Sequence, residues 1–308
     1  MDRASHLRSN QTTLDQLWAK AKIVHFSDGR LAVSIDATEL HFLSAAQIEA
    51  LIKSGEFKAG EKYFLGLDVL DSEPYFAWNS DHPKSQSDDA PAGYATLREI
   101  GGDLDELQME LALHSVALSN WHNTHPHCAR CGAQTSVAMG GAVRKCDADQ
   151  SEHYPRTDCA VIVLVHDADD RILLGRQGIW PEGRFSCFAG FLEPGETFEQ
   201  CVSREVFEES GVSVSKINYL GSQPWPFPAS IMIAFEALID DPAAARPDGE
   251  EIVEVRWYSR AQLKSAMEDG SLLLPPGISV ARKMIERWFG AAHGEFVGQS
   301  VTGGESWR

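Results

Sequence analysis

The sequence predicts an α/β protein with a mixed sheet carrying helices on its faces, preceded by a smaller α/β N-terminal domain. Three observations carry this expectation. At 308 residues the chain exceeds one ordinary small domain and suits two, with a small third element between them. After Pro155 the apolar runs become short and β-branched and alternate with helical stretches, the texture of a sheet covered by helices. Three of the six cysteines cluster just before that change, so they mark a boundary.

A hydrophobic content of 43% and a charged content of 23% are those of a globular protein, and no apolar run approaches a membrane span. No apolar stretch of a secretory signal opens the chain, and Ser306-Trp307-Arg308 is no recognised targeting tripeptide, so the expectation is a cytoplasmic enzyme with no membrane partner. The net charge of −18, from 45 acidic against 27 basic residues, argues against a protein that lives on nucleic acid by phosphate neutralisation. It leaves an anionic substrate open, since a divalent cation inverts the local field.

In the N-terminal half, residues 32–35, 63–67 and 75–78 read as strands and 79–91 as a polar loop. Apolar residues at helical spacing, among them Leu107, Leu111 and Leu118, predict a helix over 104–121 that runs into the cysteine cluster. Further on, 160–165 is a buried strand, 167–170 a tight turn and 171–175 the returning strand. Residues 185–191 form a third apolar stretch. A Gly-Pro-rich loop leads into a charged helix over 197–210, with Gly211 as its C-cap. Strands are expected at 230–239 and 251–257 and a closing helix at 280–289.

The charged helix carries the chemistry. Glu205, Glu208 and Glu209 stand at i, i+3 and i+4, which puts three carboxylates on one face, offset locally only by Arg204. Such crowding costs stability unless a cation fills it, and carboxylate oxygens are what Mg²⁺ and Mn²⁺ prefer. Gly190, Pro194 and Gly195 build a loop before the helix, and Glu196 sits near its start, where negative charge is tolerated. Val202, Val206 and Val212 give it an apolar back. A solvated acidic helix face is the usual meaning of such a charge run. Here seven specified positions, Gly190, Glu196, Arg204, Glu205, Glu208, Glu209 and Gly211, recur in one fixed order. With apolar residues also required at Val206 and Val212, average residue usage gives a chance match about once in ten million chains of this length.

At every one of those positions the pattern resembles the Nudix hydrolase signature. The resemblance implies a Nudix α/β/α sandwich and hydrolysis of a nucleoside diphosphate linked to another group. It implies that Glu205 and Glu209 hold the cations, with Glu208 as ligand or proton acceptor and the Ala189 carbonyl as a further oxygen. Cations there clamp the phosphates and lower the pKa of the attacking water.

A second motif, Ser222-Gln223-Pro224-Trp225-Pro226-Phe227-Pro228-Ala229-Ser230, frames two aromatic rings with three prolines. Trp225 and Phe227 offer flat faces for stacking, and Gln223 and Ser230 offer hydrogen bonds. A rigid turn whose aromatics plug a core is the plainer alternative. The motif is closely similar to the element that marks the NADH pyrophosphatase branch of the Nudix family. That similarity implies cleavage of NAD(H) to NMN(H) and AMP and, by extension, removal of an NAD cap from RNA, in a homodimer. It also implies a substrate contact at Ala281 and an extra metal ligand at Glu251, for which Glu250 or Glu254 could substitute. Arg98 and Tyr154 join the substrate-binding set from local context.

Cys128, Cys131 and Gly132 make half of a zinc ribbon, two thiolates on a knuckle followed by a turn. Cys146 opens the second half, but the related proteins carry a fourth Cys where this chain has Asp149. Zinc held by Cys128, Cys131, Cys146 and Asp149, completion by His153 or one of His122, His125 and His127, and a metal-free loop all stay open. Any zinc here is structural. Cys159, Cys187 and Cys201 read as buried small hydrophobes. The organisation expected is an N-terminal domain over 1–122, the ribbon-like element over 123–156, the catalytic domain over 157–290 and a tail over 291–308. A catalytically silent nucleotide sensor is the rival from another class, disfavoured by three intact glutamates.

Overall fold

A computed structural model describes residues 1–82 and 93–293. Most of the loop expected over 79–91, and nearly all of the tail, lie outside the described residues. The chain divides into two compact units: Met1–Arg156 together with Pro226–Ala229, and Thr157–Trp225 together with the chain from Ser230 onward.

The first unit begins with α1 (Gln11–Trp18), β1 (Lys22–Ser27), β2 (Arg30–Ala32), β3 (Phe42–Leu43), α2 (Ala45–Ser54), β4 (Glu61–Leu67), β5 (Pro74–Asn79) and β6 (Tyr94–Ala95). Then come α3 (Leu97–Ile100) and α4 (Glu106–Thr124). The strands order β4-β5-β1-β2-β6, with β3 also on β1; among the described residues of this sheet only β1 and β5 run parallel. Ile23, Phe64, Phe76 and Trp78 pack on one side with Leu14 of α1 and Ile48 of α2. Val24, Phe26, Tyr63 and Leu65 pack on the other with Leu111 and Ala112 of α4. A strand covered on both sides reads as a continuous apolar run, which is why β4 and β5 stand out in the sequence.

The strand expected at 32–35 is a correction. Strand β2 stops at Ala32, and Ile35 is fully exposed in a turn. The Asp36 carboxylate accepts from the Ser34 hydroxyl and from the Thr38 N–H, which draws the chain into that turn against its local β propensity. Three short strands, β7 (Thr135–Ala138), β8 (Val143–Cys146) and β9 (Glu152–His153), form a separate sheet in chain order within the same unit.

The second unit contains β10 (Asp158–His166), β11 (Ile172–Gln177), β12 (Phe188–Phe191), α5 (Phe198–Ser210), β13 (Val214–Trp225), β14 (Ser230–Ile239), β15 (Ile252–Tyr258), α6 (Arg260–Glu268) and α7 (Val280–His293). The order is β13-β14-β10-β11-β15, with β12 also on β10; β10 and β14 run parallel and the other pairs antiparallel. Alternate residues of β10 explain its unbroken apolar run. Val161, Val163 and Val165 pack toward Val202 and Val206 of α5. Ile162 and Leu164 pack toward Leu263 of α6 and Ile285 of α7. This is an α/β/α sandwich. The proline motif, expected to fix an extended backbone, continues β13 as far as Trp225: Gln223 pairs with Met232 and Trp225 with Ser230. Pro224 is tolerated because β13 is the sheet edge.

Candidate active site

The acidic cluster is set by how α5 meets β12. The Thr197 and Gln200 side chains close a capping box at the helix start, and Gly211 ends it in the left-handed region at φ 69°. Between those caps Val202 and Val206 are fully buried, so the opposite face carries the glutamates. The three are not equivalent. Glu208 is exposed, Glu205 is mostly covered, and Glu209 is buried at 3% relative exposure with the Ala189 N–H donating to its Oε2 at 3.2 Å. Burial, the charge of Glu251, and those of Glu205 and Asp248 push Glu209 up to about 8. Burial also raises Glu205 against the pull of Arg204, helped by the charges of Glu208 and Glu251. Carboxylates that disfavour one another's ionisation fit a divalent cation, and Glu205, Glu209 and Glu251 are the donors that would hold it.

Arg204 holds the loop to the helix. It bonds both oxygens of Glu196 at 2.6 and 2.8 Å, Glu205 at 2.8 Å, Glu208 at 3.1 Å and the Phe191 carbonyl at 3.0 Å. These bonds hold Glu196 at about 2. Glu196 is therefore a loop anchor here, its two oxygens engaged by Arg204. Of the alternatives to Glu251, Glu254 is engaged by Arg176 and Arg256. Glu251 lies on the turn built by Asp248, whose carboxylate accepts the N–H groups of Glu250, Glu251 and Ile252.

A cavity of about 160 Å³ opens beside this cluster. Trp225, Trp180, Met232 and Ala281 are among its walls, Gln177 and Ser186 supply polar groups, and Glu209 reaches it. Gln223 lines it but has both ends of its amide engaged, donating to the Ile278 carbonyl and accepting from the Val280 N–H, each at 2.8 Å. It thus braces the start of α7 and places Ala281. Sequence reading missed Gln177, Trp180 and Asp248. Trp180 sits in a turn with no motif around it, and Gln177 becomes notable only through its partner.

Pro226–Ala229 belongs to the first unit. There the Asn120 side chain donates to the Pro226 and Pro228 carbonyls at 2.9 and 3.2 Å, and the Arg98 guanidinium lies 4.0 Å from the centroid of the Phe227 ring. Phe227 packs against the N-terminal core, so this face of its ring is covered by Arg98. Ser230 is buried in the β14 pairing. Tyr154 is exposed and donates to Glu152.

The ligand atoms of Cys128, Cys131, Cys146 and Asp149 all lie within 4.8 Å of one another. The Arg130 and Asp149 N–H groups point at the Cys128 and Cys146 sulfurs at 3.3 and 3.4 Å, as on thiolate knuckles. The Ser151 hydroxyl draws the Cys128 thiol down to about 6. Ser151 also holds Asp149 Oδ1 at 2.5 Å, which orients the carboxylate. His153 Nε2 is 3.2 Å from Cys128 Sγ. Three thiols and one carboxylate gathered this closely, with Cys128 and Cys146 buried and Cys131 and Asp149 exposed, fit a small tetrahedral cation.

A NUDIX domain model matches residues 156–277. The chain is 39% identical over 296 residues to the NAD-capped RNA hydrolase NudC of Mycobacterium bovis, covering 93% of this chain and 92% of that protein. It is 36% identical over 197 residues to human NAD-capped RNA hydrolase NUDT12, covering 60% and 42% respectively. Among solved structures, a NUDIX hydrolase from Nitrosomonas europaea aligns with 20% identity and a TM-score of 0.43, over 56% of this chain and 96% of that one. With its box, its proline motif and these relatives together, the chain belongs to the Nudix hydrolases, in their NADH pyrophosphatase branch.

Proposed function

We propose that this enzyme hydrolyses the pyrophosphate bond of NAD(H), giving NMN(H) and AMP. The observation that carries the reading is the cavity walled by Trp225 and Trp180 that reaches Glu209. Trp225 stacks one ring of the dinucleotide, and binding it places the attached diphosphate at the acidic face of α5. Glu205, Glu209 and Glu251 hold Mg²⁺ or Mn²⁺, with the Ala189 carbonyl as an added oxygen. A cation bound there would neutralise phosphate charge and lower the pKa of the water that attacks phosphorus. Glu208, exposed and held through Arg204 among the bonds described, takes the proton at an Oε in this reading. Arg204 keeps loop and helix in one arrangement throughout.

Zinc at Cys128, Cys131, Cys146 and Asp149 ties together the sheet of β7, β8 and β9, and the working form is a homodimer. Among the described residues no helix is long and apolar enough to cross a membrane. The relatives' names favour a second reading, in which an NAD cap on RNA is the main substrate; the net charge of −18 weighs against tight RNA binding. The test is kcat/KM for NADH, NAD⁺, ADP-ribose, diadenosine polyphosphate and NAD-capped RNA with either cation. The dinucleotides are expected to lead, and ADP-ribose leading by a large factor overturns the reading.

A further inference from the structure

Gln177 belongs at once to the acidic cluster and to the ring cavity. Its Nε2 donates to Glu251 Oε1 at 3.0 Å, and its side chain lines the cavity that also contains Trp180 and Trp225. Strand geometry puts it there. β11 pairs with β15 in register from Ile172 to Arg176, then slips, so that Gln177 stands opposite Ile252 and Val253 is skipped. Irregularities of this kind re-aim side chains beside active sites.

Asp248 fixes the backbone of Glu251 through three N–H bonds, but the Glu251 carboxylate is exposed and its direction needs a second constraint. An amide supplies it without adding charge. A Lys or Arg in place of Gln177 would neutralise Glu251 and compete with a cation; an apolar residue would leave it free to turn to solvent. We infer that Gln177 is a positioning residue that holds the Glu251 carboxylate toward Glu205 and Glu209, and that couples filling of the ring cavity to cation binding. The inference rests on the acidic cluster being the cation site.

The experiment is a double-mutant cycle on the full-length chain, reading Mn²⁺ affinity from the free-ion signal in electron paramagnetic resonance with no dinucleotide present. Gln177→Met keeps the size of the side chain and removes its donor; Glu251→Gln removes the ligand charge. Each is expected to weaken Mn²⁺ binding about tenfold, the scale of losing a residue that orients a ligand. The double variant is expected to bind no more weakly than Glu251→Gln alone, since Gln177 acts through Glu251. Affinity of Gln177→Met within twofold of the parent, or losses that multiply in the double variant, overturns the assignment. Melting in chelator checks that each variant is folded. Nicotinamide mononucleotide then probes the cavity: it is expected to tighten Mn²⁺ binding in the parent and not in Gln177→Met, and equal tightening in both overturns the coupling. Because the Mn²⁺ cycle contains no dinucleotide, it can fail or succeed independently of the substrate reading.

Discussion

The Glu205 carboxylate lies directly over Gly190, where a Cβ would overlap both of its oxygens. Gly190 sits in β12 opposite Val161, and its φ is outside the left-handed region, so the glycine is required by this approach rather than by its backbone angle. Gly190→Ala is therefore expected to fold, because the far end of a glutamate can swing aside. It is expected to lose about a hundredfold in kcat, since displacing a catalytic group by an ångström costs that much. Stability should change by about 1 kcal/mol or less. Normal turnover in this variant would show that Glu205 does not need its place over residue 190.

That close approach also shows what was legible in advance. The glutamates of α5 were readable because their spacing is local, and so was the capped helix that bears them. The strands of the sandwich were readable because β10 is apolar along both faces. Most of what escaped were relations between distant residues. Strand β1 was missed because His25 interrupts its apolar run, and its burial is stabilised by partners at Ser80 and Tyr94. Helix α2 carried a full capping box, Ser44 with Gln47, and a terminal Gly55, signals that were present but unread. Trp225 and Phe227 look equivalent in sequence, yet Phe227 belongs to the first unit and Trp225 to the second. Nothing in nine contiguous residues reports such a division.

Glu209 should trade stability for activity. A carboxylate buried at 3% exposure beside Glu251, Glu205 and Asp248 is costly in metal-free protein. Glu209→Gln keeps an oxygen for the Ala189 N–H and removes the charge. In chelator its melting temperature is expected to exceed that of the parent by a few degrees, on the order of 1 kcal/mol. Adding Mn²⁺ should raise the parent's melting temperature and leave the variant's nearly unchanged. Turnover should fall by orders of magnitude. A variant that melts lower in chelator, or that keeps near-normal turnover, contradicts the role given to this carboxylate.

The cysteine cluster makes a separate prediction. Purified protein never exposed to chelator is expected to carry about one zinc per chain by elemental analysis. Asp149→Ala should release it more readily to a competing chelator, and Asp149→Cys should hold it more tightly, because thiolate is the stronger ligand for zinc. Absence of zinc in the untreated protein would leave a loop held by hydrogen bonds, among them those of Ser151, His153 and the backbone.

Two buried imidazoles predict how the first unit responds to acid. His25 stacks on Trp78 at 4.1 Å, with Tyr94 and Ser80 on its two nitrogens, and burial lowers it to about 3. His122 stacks on Tyr63 and its Nε2 donates to the Gly141 carbonyl at 2.8 Å. Its Nδ1 then accepts from Arg144 at 2.8 Å, so a second proton would meet a guanidinium. Burial, opposed by Gly141 and Glu61, brings it to about 4. In the unfolded chain both rings protonate near 6.5. Between 6.5 and these depressed values the unfolded state binds more protons, so stability is full above 6.5 and is lost as pH falls. Each ring contributes up to about 1.4 kcal/mol per pH unit across that window. Melting followed from pH 7.5 to 5 should show this loss. His25→Phe should be less stable than the parent at pH 7.5, because Tyr94 and Ser80 lose a partner, yet decline less steeply with acid. An equal slope in parent and variant would mean that His25 is already protonated in the fold, against the contacts that surround it.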